Sequence, residues 1–144
     1  MKKPYLIQGG VHADERGRLG FVNQFRFPGI NRFYTITQSP ENGPRAWQGH
    51  KEEFKYFYCT QGSFLIKLVK IDNWENPSEN PEIETFLLSA EQSAVLVVPG
   101  GYANGLLATK EGSQLMVFSE RTVEDARGDE YRFDKSRWIN WEKL

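Results

Sequence analysis

Short runs of β-branched and aromatic residues, each closed by turn residues, recur along almost the whole of this chain. Tyr5–Gln8, Leu19–Phe25, Arg32–Ile36, Arg45–His50 and Phe54–Thr60 read as strands. Ser63–Ile71, Glu84–Ser89, Ala94–Val98, Gly105–Ala108 and Gln114–Ser119 continue the pattern. Side chains of these types suit a pleated, half-buried surface. No long helical period interrupts them, so the chain is predicted to be all-β, its strands closing into a sandwich or barrel. Gln61-Gly62 lies between two strongly apolar runs and predicts a tight hairpin. Asn73–Pro81 predicts a polar, proline-broken loop, and a short helix is expected near Val123–Arg127 or Lys135–Trp138.

At 144 residues the chain is expected to form one domain with a real core. A hydrophobic fraction of 39% and a charged fraction of 26% belong to an ordinary globular protein. The formal net charge is −1 and there is no basic block, which argues against nucleic-acid and membrane partners. No apolar run near the N-terminus is long enough for a signal peptide, and none reaches the ~20 residues of a membrane span. A cytoplasmic location is the expectation. The single cysteine, Cys59, excludes an internal disulfide and sits among apolar neighbours, as a core residue would. Aromatic residues reach 14%, which suits both packed sheets and pockets for planar rings or sugars.

From Gly43 to Gly62 the chain keeps the spacing of a metal-binding cupin. That pattern places two histidines one residue apart, then an acid, then a glycine; here the positions read Gln48, His50, Lys55 and Gly62. A second cupin segment, P-x-G-x-x-H, reads Pro99, Gly101 and Asn104. Only His50 survives of the four ligand positions. A divalent ion wants several imidazoles or carboxylates, and the cation of Lys55 repels it. The expectation is a cupin-type double-stranded β-helix, a jelly-roll barrel, holding no metal.

Further segments resemble the nucleotide-sugar branch of the cupins, which contains the dTDP-4-dehydrorhamnose 3,5-epimerases and the dTDP-sugar 3,4-ketoisomerases. Asp14-Glu15-Arg16-Gly17 is similar to an early D-x-R-G, and Arg45-Ala46-Trp47-Gln48-Gly49-His50-Lys51 to the ketoisomerases' R-G-x-H-x-H-K. Val98-Pro99-Gly100-Gly101-Tyr102-Ala103-Asn104-Gly105 resembles I-P-P-G-F-A-H-G. Tyr131-Arg132-Phe133-Asp134 with Ile139-Asn140-Trp141 resembles a terminal I-R-W-D … I-D-W. The resemblance implies a nucleotide-sugar substrate, a homodimer, no cofactor, and proton abstraction beside the carbonyl of a 4-keto-6-deoxy sugar in polysaccharide synthesis.

Such chemistry needs a base that works near neutral pH and groups that stabilise an enolate oxygen. His50 is the candidate base, since imidazole alone titrates near neutrality unperturbed. The alternative is a satisfied core histidine. His12, in a glycine-rich stretch, is expected at the surface. The resemblance gives Lys55 the place of a lysine near the sugar carbonyl; the alternative is an outward, solvated lysine. It gives Arg16 and Arg45 the place of diphosphate-binding arginines, and guanidinium forks suit phosphate oxygens. Gln48, Asn104, Tyr58 and Tyr102 are further candidate substrate contacts, and Phe21 and Trp47 are aromatics able to stack on a ring.

The epimerases pair a histidine with an aspartate; the corresponding positions here are Gln48 and Asn140, and neither amide takes up a proton at neutral pH. Their tyrosine acid falls near Met116 or Thr122. Tyr34 is the best-placed proton donor, with Tyr58 as another. These departures favour 3,4-ketoisomerase-like chemistry on His50, with 3,5-epimerisation and non-catalytic nucleotide-sugar binding as the alternatives.

Overall fold

The computed structural model describes residues 2–144. Its strands are β1 (Tyr5–Gln8), β2 (Gly10–Asp14), β3 (Gly17–Phe21), β4 (Arg32–Gln38), β5 (Arg45–His50) and β6 (Lys55–Gln61). They continue with β7 (Ser63–Lys70), β8 (Ile83–Ser89), β9 (Ala94–Val98), β10 (Tyr102–Ala108) and β11 (Ser113–Ser119). A short helix, α1 (Val123–Ala126), precedes β12 (Tyr131–Arg132). Two antiparallel five-stranded sheets result, ordered β1-β9-β6-β11-β4 and β12-β5-β10-β7-β8, while β2 and β3 form a separate ribbon. This is the expected all-β jelly roll. Among the described residues no helix is long and apolar enough to cross a membrane.

Alternation along the strands sends one set of side chains between the sheets. Phe57, Phe64, Ile66, Leu68, Leu88, Leu96, Leu106, Leu115 and Val117 make that core, with Cys59 buried among them. Each such large apolar side chain, once buried, contributes roughly 1.5–3 kcal/mol. The outer faces are also covered. Phe25, Val22 and Ile30 pack over Tyr56, Val95 and Val97 on one sheet. Trp74, Phe133, Trp138 and Trp141 pack over Trp47, Val69 and Ala103 on the other. Gly105 makes that second layer possible, since a Cβ there would lie 2.6 Å from the Trp141 ring.

Several expectations are corrected. Gln61-Gly62 does not join a hairpin, because β6 and β7 belong to different sheets. Both strands bury apolar side chains in the same core, from opposite sides, so the turn crosses the sandwich. Gly62 sits at φ 69°, and a Cβ on it would collide with Ser113. The strand expected over Leu19–Phe25 stops at Phe21, and the chain then folds so that Phe25 packs on the outer face. β2 pairs with β3 despite the glycines at its start. Gly105–Ala108 extends back to Tyr102. Of the two helix sites, Val123–Ala126 is helical and Lys135–Trp138 is not; Trp138 adopts φ 67° as its ring turns onto Trp47.

One irregularity shapes the interior. Opposite β10, Asn104 pairs with Gln48 but Gly105 pairs with Ala46, which leaves Trp47 as an unpaired extra residue. Its backbone bonds instead to Phe133, N–H to O at 3.1 Å and O to N–H at 3.2 Å. Such a bulge resets strand parity. Ala46 and Trp47 therefore both face outward, and Arg45 is brought to the same cavity as Gln48 and His50.

Candidate active site

A cavity of about 500 Å³ lies between β4 and β6 of one sheet and β5 and β10 of the other. Tyr34, Lys55, Phe57, Gln48, His50, Asn104 and Leu106 line it. Val123, Ala126 and Arg127, from α1 and the 3-10 turn Arg127–Asp129, complete one wall with Glu130.

Lys55 is inside. It is only 5% exposed and its Nζ donates to Tyr34 Oη at 2.9 Å, which rules out the solvated reading. Because Tyr34 accepts that bond, its own O–H stays available to donate. His50 is 6% exposed, and neither ring nitrogen has a hydrogen-bond partner among the described residues. Its Nε2 stands 3.7 Å from Glu53 Oε1. Burial lowers the His50 pKa to about 4, helped by the charge of Lys55 and opposed by Glu53, Asp129 and Glu130. At neutral pH the ring is therefore neutral, the form that can accept a proton.

The loop between β5 and β6 is fixed by a carboxylate from beyond α1. Asp129 accepts three successive backbone N–H groups, from Lys51 at 2.7 Å and from Glu52 and Glu53 at 2.9 Å. Glu53 points into the protein, where its Oε2 accepts from Ser119 Oγ and from Arg32 Nη2 at 3.3 Å. Arg32, Arg45 and Arg127 line the cavity along with Lys55, against Glu130. That balance favours an anionic ligand, and the guanidinium forks suit phosphate in particular.

The cupin ligand positions do converge here, but as one imidazole, one ammonium and two amides. That donor set does not fit a divalent ion. Among the described residues no three His, Cys, Asp or Glu side chains form a group able to hold one.

His50, Lys55, Tyr34, Arg45, Gln48 and Asn104 are thus brought together. Arg16, Tyr58 and Tyr102 are not. Arg16 lies at the tip of the β2–β3 ribbon, 81% exposed and bonded to Asp14 at 2.6 Å. Tyr58 points out of β6 and shares a 3.2 Å hydrogen bond with Ser93. Tyr102 faces inward but is buried in the core, where desolvation raises its phenol pKa. Phe21 and Trp47 also lie outside the cavity. Asn140 is exposed and accepts from the Glu142 N–H at 3.0 Å, capping the last turn. Thr122 caps α1 through the Asp125 N–H at 3.2 Å, and Met116 does not line the cavity. His12 is exposed, as expected, beside Asp14. Arg32, Glu53, Arg127 and Asp129 had no signal of their own in the sequence.

The family described as "FdtA: WxcM-like, C-terminal" matches residues 3–143. The chain belongs to this family. A curated relative, the probable low-salt glycan biosynthesis epimerase Agl13 of Haloferax volcanii, is 25% identical over 113 residues, covering 74% of this chain and 70% of the relative. Among solved structures, the dTDP sugar isomerase from Desulfovibrio desulfuricans G20 superposes with a TM-score of 0.76 at 16% identity, covering 98% of this chain and 92% of that one. The RmlC epimerase of Mycobacterium tuberculosis gives 0.74 at 19% identity, covering 96% and 74%. The sugar 3,4-ketoisomerase QdtA of Thermoanaerobacterium thermosaccharolyticum, solved with TDP, gives 0.69 at 22% identity, covering 97% and 95%. These likenesses show that this FdtA-family member shares their fold.

Proposed function

We propose that this member of the FdtA family is a sugar-nucleotide isomerase that abstracts a proton beside the carbonyl of a nucleotide-linked 4-keto-6-deoxy sugar, as a 3,4-ketoisomerase does. The observation that carries it is a neutral, unbonded His50 sharing an arginine-rich cavity with the Lys55–Tyr34 pair. The isomerase and epimerase descriptions of its relatives support the same reading. His50 takes the C3 proton, and the C3–H electron pair becomes a C3=C4 bond as charge moves onto the C4 oxygen. The Lys55 ammonium and the Tyr34 hydroxyl stabilise that oxygen. Protonation there, loss of the O3 proton and proton delivery to C4 leave the ketone at C3. Arg45 and Arg127, with Arg32, hold the diphosphate. The reaction runs without metal or cofactor.

Ketoisomerisation is preferred to 3,5-epimerisation because Gln48 and Asn140 are amides and Asn140 stands outside the cavity. The test is hydrogen exchange followed by NMR, with the protein and dTDP-4-keto-6-deoxyglucose in heavy water. The expected result is loss of the C3 proton with deuterium entering at C4 of the 3-keto product, and at C3 of substrate re-formed from it, with none at C5. Exchange at both C3 and C5 would make the protein an epimerase. No exchange at either carbon, with binding shown by a thermal shift, would overturn the enzymatic reading in favour of a nucleotide-sugar binder.

A further inference from the structure

Glu53 is a buried carboxylate with one oxygen unaccounted for. Its side chain has no exposed surface. Oε2 receives the Ser119 hydroxyl and the Arg32 guanidinium, whereas Oε1 is buried with no hydrogen-bond partner. Buried polar atoms are normally satisfied, so such an orphan points to a missing interaction. That oxygen faces His50 Nε2 at 3.7 Å, just beyond hydrogen-bond length.

We propose that Glu53 is a positioning residue that holds His50 as the Nε2–H tautomer and leaves Nδ1 as the atom that accepts the substrate proton. An ionised carboxylate oxygen only accepts hydrogen bonds, and a ring-nitrogen lone pair aimed at it is repelled. The partner of one ring nitrogen decides where the imidazole proton sits, and the other nitrogen is then the base. Nδ1 has no partner among the described residues. When the C3–H proton moves to Nδ1, its electron pair stays with the sugar as the enolate. The positive charge created on the ring then meets Glu53 through Nε2–H, and the 3.7 Å gap closes. The inference rests on His50 being the base.

The surroundings set the sign of the effect. Lys55, hydrogen-bonded to Tyr34, disfavours the imidazolium, while Glu53, Asp129 and Glu130 favour it. Arg32 shares Glu53, its Nη2 lying 3.3 Å from Oε2, while the other oxygen faces His50. Asp129 pins the backbone N–H groups of Lys51, Glu52 and Glu53, so the segment that carries the carboxylate is held beside the ring.

The test is long-range 15N NMR of the imidazoles in the full chain. It is tractable because the protein has 2 histidines, and exposed His12 serves as the internal reference. The wild type is expected to show His50 as Nε2–H at pH 7; an Nδ1–H signal would overturn the proposal without any variant. Glu53→Gln is expected to lose that preference and to lower the His50 titration midpoint by about one unit. Its kcat should fall on the order of tenfold with KM little changed. Ser119→Ala removes a bond to Oε2 but leaves the charge, so tautomer and midpoint should stay put. If Glu53→Gln leaves both as in the wild type, Glu53 is only structural and the proposal fails. Neither NMR readout needs substrate. Failure of every nucleotide sugar to exchange would therefore remove the proposed function while leaving the Glu53–His50 relation standing.

Discussion

Lys55 acts on the cavity in two opposite ways. Its charge lowers the proton affinity of His50, yet in the proposed reaction it is the cation that stabilises the enolate oxygen. Lys55→Met separates the two effects. The His50 midpoint should rise from about 4 toward the ordinary imidazole value of 6.5, while kcat falls on the order of 10²–10³-fold. An NMR titration beside steady-state kinetics reads both, and an unmoved midpoint would show that the two side chains do not sense each other. At this scale, motif spacing was a good guide. Gln48, His50, Lys55 and Asn104 were placed by the cupin pattern and do share one cavity. Strand parity could have refined the reading, because Lys55 and Tyr58 on one regular strand face opposite ways. Glu53 and Asp129 were illegible for a different reason. Glu53 is turned inward by Ser119, 66 residues away, and Asp129 binds Lys51, 78 residues away, and no local pattern reports such partners.

At the scale of elements, the turn after α1 is bound to the β5–β6 loop through a single side chain. Asp129 satisfies three consecutive N–H groups of that loop, the last of them on buried Glu53. Asp129→Ala strands them, at a cost of roughly 1–3 kcal/mol for each buried group that water cannot reach. We expect a loss of at least about 2 kcal/mol in urea unfolding, together with a shifted His50 resonance because the loop carries Glu53. A loss under about 0.5 kcal/mol would mean that water replaces the carboxylate. The strands themselves were legible because β-branched and aromatic runs mark half-buried surfaces. The pairing was less so. A turn as short as Gln61-Gly62 fits a hairpin or a crossing between sheets equally well, and the decision lies in which faces both strands must bury. The bulge at Trp47 was equally hidden, since it depends on Phe133, just past β12 at the edge of the same sheet, pairing with its backbone.

Across the whole molecule, the aromatic residues are spent mostly on covering the two outer sheet faces, and the cavity draws on few of them. With those layers sealed, the interior end of the sandwich can hold His50, Lys55 and Glu53 away from water, and the burial of His50 makes global stability depend on pH. The His50 pKa is about 4 in the folded protein, below the ordinary 6.5. Between those values the unfolded chain binds a proton that the folded one refuses, so stability rises with pH across that window. The contribution is fully present above pH 6.5 and is lost as pH falls toward 4, by about 3 kcal/mol. Asp14, Asp72 and Asp134 also have lowered pKa values and weaken the fold at still lower pH, through contacts that do not involve His50. Comparing the wild type with His50→Gln isolates the histidine, because Gln does not titrate and the aspartates are common to both. Urea unfolding from pH 7 to pH 4.5 should show the wild type losing stability relative to the variant by about 2–3 kcal/mol. Parallel curves would mean that His50 meets water in the folded protein, and a buried neutral base would then no longer describe this cavity.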